Sequence, residues 1–179
     1  MRFEVRGHSN LRLPVIGEVA LLVYDFDGVM TDNRALVDEN GNESVFVNRS
    51  DGLAIAELRR LGVPQFILST EANPVVLRRA EKLRIPCIHN CGDKRTALAD
   101  YLMQNNIDPE KVVYCGNDIN DLEVMRFVGL PVSPADGHWR VKEVAKYVTR
   151  AKGGEGVIRE LYDLLVQPAG ETPKHLVAA

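Results

Sequence analysis

Two carboxylates, Asp25 and Asp27, directly follow the apolar, β-prone run of residues 19–24. Side chains alternate between the two faces of a strand, so Asp25 and Asp27 share one face while Phe26 points into the core. At an effective dielectric near 20, two such charges about 4 Å apart repel by roughly 4 kcal/mol. A hard divalent cation with oxygen ligands would offset that repulsion. The alternative is a strand end with two solvated acids, or an Asp-Gly turn made with Gly28.

Hydroxyl groups and a lysine follow the next predicted strands. Ser69 and Thr70 come directly after residues 64–68, where a serine can donate a hydrogen bond to a phosphate oxygen. The alternative for Ser69 is a helix N-cap. Lys94 opens the helix predicted over residues 94–105. Because the helix dipole favours anions at that end, a lysine there indicates a task such as neutralising a phosphate, the alternative being a solvated side chain.

A second polar cluster follows the apolar run of residues 111–115, with Asn117, Asp118 and Asp121 placed around Gly116. Acids after an apolar strand suit a cation, although helix caps and turns use the same residue types. The carboxyl ends of parallel strands in an open α/β sheet meet at one crevice, so all these groups would converge there. Their convergence indicates metal-assisted phosphoryl chemistry.

Alternating strand and helix patterns must position these groups. Strands are predicted over residues 19–24, 64–68, 86–89, 111–115, 130–132 and 147–148. Helices are predicted after position 50 and over residues 74–83, 94–105, 119–127, 138–144 and 156–166. This alternation predicts an α/β fold, a doubly wound, Rossmann-like parallel sheet with helices on both faces.

A small β-hairpin insertion is predicted after the first strand, over about residues 33–48. Two short β-prone runs, 34–37 and 44–47, flank a strong Asn-Gly turn signal. The hairpin would project over the acidic pair. Ser50 or Asp51 would then cap the following helix.

The composition is that of one globular domain, with 179 residues, 45 % hydrophobic and 26 % charged, and a net charge of −3. The sequence has no basic patch typical of a nucleic-acid-binding protein, and its apolar runs are too short to span a bilayer. Charged residues near the N-terminus interrupt any signal-peptide core. We expect residues 1–18 to be an irregular lead-in, residues 19–166 the folded domain and residues 167–179 a flexible tail.

Three cysteines, Cys87, Cys91 and Cys115, are an odd number for a disulfide framework. We interpret them as reduced thiols of a cytoplasmic protein. His89 lies between two of them, so a zinc site there is an alternative.

The polar clusters resemble the four motifs of the haloacid dehalogenase superfamily of phosphatases. The matching residues are Asp25-Phe-Asp27-Gly-Val-Met-Thr, Ser69, Lys94 and Gly116-Asn-Asp-Ile-Asn-Asp121. The hairpin and the segments Asn48-Arg-Ser-Asp-Gly52 and Lys152-Gly-Gly-Glu-Gly-Val-Ile-Arg-Glu160 resemble its small-cap branch. That branch includes phosphatases of octulosonate 8-phosphate and nonulosonate 9-phosphate sugar acids, and a domain linked to acylneuraminate cytidylyltransferase. The resemblance covers about residues 19–166.

The resemblance implies a phosphatase that works through an aspartyl-phosphate. Asp25 would be the nucleophile, and Asp27 would protonate the leaving alcohol and then deprotonate the attacking water. Ser69 and Lys94 would hold the phosphoryl group and stabilise its charge in the transition state.

The resemblance also implies a Mg²⁺ ion. Its ligands would be a carboxylate oxygen of Asp25, the backbone carbonyl of Asp27, and Asn117 and Asp118, with Asp121 supporting them. The active phosphatases carry Asp where this chain has Asn117, so the site has one negative charge fewer. We therefore expect weaker metal affinity and slower turnover unless Asp118 or Asp121 compensates.

Members of this branch are typically homotetramers in which the hairpin builds the oligomer and a neighbouring subunit helps close the active site. We expect Thr70, Glu71, Arg49 and Arg159 to contact substrate, with the segment containing Arg159 acting across the interface. Glu71 stands where octulosonate phosphatases have Arg and nonulosonate phosphatases have Glu. That residue favours a nine-carbon over an eight-carbon keto-sugar acid phosphate.

Three classes of function follow. The first is the Mg²⁺-dependent sugar-acid phosphatase, since nucleophile, acid/base, serine and lysine are all present. The second is a weakly active oligomerisation or regulatory module that acts with a separate cytidylyltransferase, which Asn117 favours. The third is a nucleotide- or effector-binding receiver domain without turnover, which would tolerate loss of Lys94 and Asp27 more readily than an enzyme. Restoring Asp at position 117 separates the first two.

Overall fold

The computed structural model describes residues 13–166. The strands within them are β1 (Leu21–Tyr24), β2 (Leu36–Val37), β3 (Glu43–Ser44), β4 (Gln65–Leu68), β5 (Cys87–Ile88), β6 (Val112–Cys115), β7 (Leu130–Ser133) and β8 (Tyr147–Val148). The α-helices are α1 (Arg49–Arg60), α2 (Val75–Leu83), α3 (Lys94–Gln104), α4 (Leu122–Met125), α5 (Trp139–Val144) and α6 (Val157–Leu165).

One parallel sheet organises the chain, with the strand order β5-β4-β1-β6-β7-β8. β1 lies near its centre and pairs in parallel with β4 on one side and β6 on the other. Side chains of α1, α2 and α6 pack on one face, and side chains of α3, α4 and α5 pack on the other. The predicted doubly wound sheet is confirmed.

The apolar run of β1 serves both cores. Leu22 and Tyr24 belong to the core on one face of the sheet, whereas Leu21 and Val23 belong to the core on the other. A strand that is covered on both faces needs apolar residues at every position, because successive side chains point to opposite sides. The run therefore ends where the sheet edge begins, at Asp25.

The predicted hairpin is present but its paired strands are short. Leu36 pairs with Ser44 and Val37 with Glu43, in antiparallel register. The predicted run over residues 44–47 leaves the pairing after Ser44, because Val45 and Val47 turn to pack against the core. An isolated bridge between Thr31 and Val47 ties the hairpin to the loop after β1.

The cap of α1 differs from the prediction. Asn48 is the N-cap, and its side-chain oxygen accepts a hydrogen bond from the backbone N–H of Ser50 at 2.7 Å. Ser50 and Asp51 are instead the second and third residues of the helix, within its first turn. Asp51 is buried and its Oδ1 accepts from the backbone N–H of Arg159 at 2.9 Å, so it supports the start of α6 instead.

The helix predicted over residues 119–127 is divided into a 3₁₀ turn, Ile119–Asp121, and the single α-helical turn of α4. Of the expected lead-in, residues 1–12 lie outside the described part, as does the expected tail, residues 167–179. Across residues 13–166, none of the helices combines the length and apolarity needed to cross a membrane.

Candidate active site

A cavity of about 320 Å³ opens at the carboxyl edge of the sheet. Its wall combines the ends of the neighbouring strands β1 and β6 with residues from the adjacent loops. The lining residues are Asp25, Asp27, Asn33, Thr70, Asn117, Asp118, Ile119 and Asn120. The predicted acids after the two central strands therefore meet at one place.

Asp25 is buried and held on both carboxylate oxygens. Oδ1 accepts a hydrogen bond from the Phe26 backbone N–H at 2.7 Å, and Oδ2 lies 2.8 Å from the Lys94 ammonium. Burial, followed by the charge of Asp121, raises the pKa of Asp25 to about 8, although Lys94 opposes the shift. The carboxylate is thus placed where an added positive charge would strongly favour its ionised form.

Lys94 is only 3 % exposed, so the alternative of a solvated side chain is wrong. Its Nζ lies 2.8 Å from Asp25 Oδ2 and 2.7 Å from Asp121 Oδ1. Burial is the largest single influence on the pKa of Lys94 and lowers it, but the two carboxylates together outweigh burial and raise the pKa. The lysine stays charged and bridges Asp25 in the first of the four motifs and Asp121 in the last.

Asp121 organises the loop after β6. Its Oδ1 accepts from Lys94 and from the Tyr114 hydroxyl at 2.7 Å, and its Oδ2 accepts from the backbone N–H groups of Asn117 at 2.8 Å and Asp118 at 3.2 Å. Asp121 is fully buried and does not line the cavity. Sequence reasoning missed Tyr114, whose only signal was a polar group inside an otherwise apolar strand.

Asn117 fills the space beside the turn after Asp27. A Cβ placed on Gly28 would lie 1.9 Å from Asn117 Nδ2, and Gly28 has a positive φ of +74°. The backbone carbonyl of Asn117 accepts a hydrogen bond from the backbone N–H of His138 at 2.8 Å. This bond fixes the loop from its other side. Residue 28 must be glycine for both reasons, and the two motifs are in direct contact through it.

Asp27 is half-buried, and burial, then the nearby charge of Glu71, raises its pKa. Its Oδ1 accepts from the Thr31 hydroxyl at 3.5 Å. A raised pKa increases the protonated fraction of Asp27 at a given pH, and the protonated form is the one that a general acid needs. Glu71 is half-buried and is not among the residues that line the cavity.

Ser69 and Thr70 lie at the carboxyl end of β4, as predicted. Ser69 is buried, and its Oγ accepts from the Glu71 backbone N–H at 3.1 Å. The alternative of a helix N-cap is wrong for Ser69, because the residue at the N-cap of α2 is Pro74. Thr70 lines the cavity, and its Oγ1 accepts from Asn120 at 3.4 Å.

The two arginines expected to contact substrate lie away from the cavity of their own chain. Arg49 is exposed at the start of α1. The Arg159 side chain is exposed on α6 and pairs with Asp163 at 3.0 Å. Their assignment to substrate remains a prediction, and it requires a second subunit.

The oxygen donors on the cavity wall fit a hard cation. Within residues 13–166, the side chains of His, Cys, Asp and Glu form no group of three or more arranged to hold a metal. A zinc site at Cys87, His89 and Cys91 is therefore not found there, and those cysteines are free. Mg²⁺ usually keeps several waters and takes only one or two protein carboxylates together with substrate phosphate, which matches this sparse donor set.

Comparisons with known proteins agree with this geometry. A family model described as haloacid dehalogenase-like hydrolase matches residues 71–161. The 3-deoxy-D-manno-octulosonate 8-phosphate phosphatase of Yersinia pestis is 36 % identical over 149 residues, which cover 83 % of this chain and 80 % of that protein.

Solved structures are similar over the same region. A protein from Streptomyces avermitilis MA-4680, described as a HAD family hydrolase, superposes with a TM-score of 0.85 at 46 % identity, covering 87 % of this chain and 90 % of that one. The 3-deoxy-D-manno-octulosonate 8-phosphate phosphatase of Moraxella catarrhalis superposes with a TM-score of 0.81 at 29 % identity, covering 84 % and 87 %. That structure contains a magnesium ion, a phosphate ion and a KDO molecule.

Proposed function

Because the chain belongs to the haloacid dehalogenase-like hydrolase family and is a phosphatase of that family, we propose that it hydrolyses the phosphate monoester of a keto-sugar acid with the help of Mg²⁺. The observation that carries the proposal is the bridge from Asp25 through Lys94 to Asp121, at 2.8 and 2.7 Å, beside the cavity that Asp27 also lines. An acid pair and a fixed lysine at one cavity are the parts that phosphoryl transfer requires.

The proposed reaction has two steps. A carboxylate oxygen of Asp25 attacks phosphorus, the bond to the sugar oxygen breaks, and Asp27 gives that oxygen its proton. Water then attacks the phosphorus of the aspartyl-phosphate, Asp27 takes a proton from it, and Asp25 and inorganic phosphate are released. The raised pKa of Asp27 suits the first step, and its ionised form after that step suits the second.

Mg²⁺ would be held by Asp25, the backbone carbonyl of Asp27, and the side chains of Asn117 and Asp118. When bound, the ion neutralises phosphate charge and favours the ionised nucleophile. Lys94 keeps the Asp25 carboxylate in one orientation, and we assign Ser69 to the phosphoryl oxygens.

The eight-carbon sugar acid is the first substrate to test, because the similar proteins from Yersinia pestis and Moraxella catarrhalis are octulosonate 8-phosphate phosphatases. Glu71 is the one residue that favours a nine-carbon acid. The regulatory-module alternative is not favoured beside these relatives, although a cytidylyltransferase partner and a cytoplasmic location remain predictions.

Phosphate release tests the proposal. Purified protein is assayed with 3-deoxy-D-manno-octulosonate 8-phosphate and 2-keto-3-deoxy-nonulosonate 9-phosphate, with Mg²⁺ or with chelator. We expect release that stops with chelator and in Asp25→Asn, but continues in the matched control Asp100→Asn, whose side chain is exposed on α3. Equal release by Asp25→Asn and the wild type would exclude this site.

We further propose that the chain forms a homotetramer through the hairpin. Four large apolar side chains on the hairpin and α1 are strongly exposed in the single chain: Leu36, Val37, Phe46 and Leu53. Covering such a patch is favourable, and a second copy would also bring exposed arginines towards a neighbouring cavity. Sedimentation should give four copies for the wild type and fewer for Phe46→Glu, whereas Met103→Glu, at an equally exposed site on α3, should leave the assembly intact.

A further inference from the structure

The Thr31 hydroxyl touches three groups in the loop after β1. Its Oγ1 lies 3.2 Å from the backbone nitrogen of Gly28, 3.2 Å from that of Asn33 and 3.5 Å from Asp27 Oδ1. Thr31 is fully buried and is not among the residues that line the cavity. It is therefore placed behind Asp27, out of reach of a substrate in that cavity.

The donor and acceptor capacity of this hydroxyl is fully used. A threonine hydroxyl has one hydrogen and two lone pairs. The N–H groups of Gly28 and Asn33 can only donate, so they occupy the two lone pairs. The single hydrogen is left for the Asp27 carboxylate, which can only accept when ionised.

The hydrogen bond from the Gly28 N–H to the Thr31 hydroxyl also fixes the backbone carbonyl of Asp27. The peptide between Asp27 and Gly28 is planar and trans, so its carbonyl oxygen points opposite to the Gly28 N–H. Because that N–H is held by Thr31, the direction of the Asp27 carbonyl is set as well. This carbonyl is the proposed ligand of Mg²⁺.

Thr31 is itself held firmly. Its backbone N–H donates to the Phe26 carbonyl at 3.2 Å, and it forms a bridge with Val47 at the base of the hairpin. Gly153 packs against it so closely that a Cβ there would lie 2.8 Å from the Thr31 carbonyl oxygen. The hydroxyl therefore acts from a fixed point in the fold.

We infer that Thr31 is a positioning residue that aligns both working groups of Asp27, the carboxylate that moves protons and the carbonyl that faces the metal. The inference rests on the proposed function for the role of Asp27. It assigns to a buried threonine outside the cavity a part in both proton transfer and Mg²⁺ binding.

Activity separates positioning from simple structural support. Thr31→Val keeps the shape but removes the hydroxyl, and Thr31→Ser restores it. An alkyl phosphate needs a well-placed acid, whereas p-nitrophenyl phosphate has a leaving group that needs little protonation. We expect Thr31→Val to lower kcat on the sugar-acid phosphate by about 100-fold and on p-nitrophenyl phosphate far less, with KM nearly unchanged and activity rescued in Thr31→Ser.

Mg²⁺ binding, measured by calorimetry without substrate, gives a second readout that does not need turnover. Loss of a partner behind a metal ligand typically weakens affinity by about 10–100-fold, which we expect for Thr31→Val but not for Thr31→Ser. The matched control is Thr149→Val, another buried threonine, which loses one hydrogen bond to the Ala151 carbonyl. Thr31→Ala replaces the valine variant if that protein does not fold.

The outcomes are distinct. If the wild type hydrolyses neither ester, the proposed function fails, and the Mg²⁺ titration alone decides the role of Thr31. If Thr31→Val keeps the wild-type ratio of the two kcat values and the wild-type Mg²⁺ affinity, the inference is overturned. If Thr149→Val changes both quantities as much as Thr31→Val does, the effect is general destabilisation and the inference is also overturned.

Discussion

The side chain of Asn117 occupies the space that a Cβ on Gly28 would need, since Nδ2 would lie 1.9 Å from that atom. The first and fourth motifs are thus packed against each other with no spare room, and the backbone of the Asp27–Gly28 turn is one wall of the pocket that holds Asn117. A change at either residue should affect the other and the proposed Mg²⁺ ligands, Asp27 and Asn117, on either side of the contact.

Gly28→Ala should therefore destabilise the protein more than backbone strain alone explains. Gly41 is the matched control, because it also has a positive φ, +80°, but has open space around its Cβ position. In each variant, holding an alanine in the left-handed region of φ lowers the free energy of unfolding by about 1–2 kcal/mol. We expect Gly28→Ala to lose about 1–3 kcal/mol more than Gly41→Ala in urea unfolding, through overpacking, and to weaken Mg²⁺ binding as well. Equal losses for the two variants would mean that Asn117 moves aside without cost.

Asn117→Asp should lower the stability of the metal-free protein and raise its affinity for Mg²⁺. The new carboxylate would join Asp25, Asp27 and Asp118 on one cavity wall, so like charges would repel in the metal-free protein. With Mg²⁺ the added charge should tighten binding by about tenfold, because ligand charge sets affinity at such sites. Thermal unfolding with and without Mg²⁺ would show a lower Tm without the ion and a larger rise with it.

Asn120→Asp is the control for that substitution, since Asn120 lines the same cavity but is not an expected metal ligand. A similar gain in Mg²⁺ affinity in both variants would indicate a general charge effect and would remove the special role of position 117. A large gain in turnover for Asn117→Asp alone would show that the natural asparagine limits the rate.

Lys94→Met should be among the most damaging single changes outside the apolar core. It leaves Asp25 and Asp121 buried without their shared cation, and breaking a buried ion pair typically costs about 3–5 kcal/mol. The folded-state pKa of Lys94 is raised, so its stabilising effect is complete at neutral pH and is lost only as the pH rises through that pKa. Lys146→Met, at an exposed lysine that donates to the Gly129 carbonyl, should cost far less in the same denaturant titration. A small loss for Lys94→Met would mean that the lysine is not the counterion of Asp121 in the folded protein.

The positions of the strands and the identity of the acids could be predicted because each depends on local pattern. The apolar run before Asp25 is continuous since β1 is covered on both faces, and that is visible in the sequence. The burial of Lys94 could not be predicted, because it depends on Asp121, which lies in the 3₁₀ turn after β6, 27 positions further along the chain. The contact of Tyr114 could not be predicted either, because its hydroxyl reaches Asp121 only when the loop after β6 folds back.

The hydrogen-bond partner of Asp51 could not be predicted from the sequence for a related reason. A carboxylate near a predicted helix start has the local signature of a cap, but the amide that it accepts from belongs to Arg159, 108 positions away. The local cap is Asn48 instead. Sequence patterns identify polar residues that need partners, whereas the choice of partner is made by the packing of α1 on α6.

Asp51 also makes stability depend on pH. Burial raises its pKa to about 6, and its Oδ2 is buried without a hydrogen-bond partner. Because the folded state binds this proton more tightly than the unfolded state, stability falls as the pH rises from about 4 to about 6, by about 2–3 kcal/mol from this group. Asp51→Asn should remove that part of the slope in urea unfolding measured across this pH range. An unchanged slope would mean that Asp51 titrates at its ordinary pKa in the folded protein.

Capture of the phosphorylated enzyme tests whether Asp25 is the nucleophile. Asp27→Asn, which lacks the base for the second step, is mixed with Mg²⁺ and p-nitrophenyl phosphate, quenched in acid and digested for mass spectrometry. We expect one phosphoryl group per chain on the peptide that contains Asp25, formed together with one equivalent of p-nitrophenol. No such adduct should form in the Asp25→Asn, Asp27→Asn double variant. A phosphoryl group on any other peptide, or full turnover by Asp25→Asn, would contradict the assignment of Asp25 as the nucleophile.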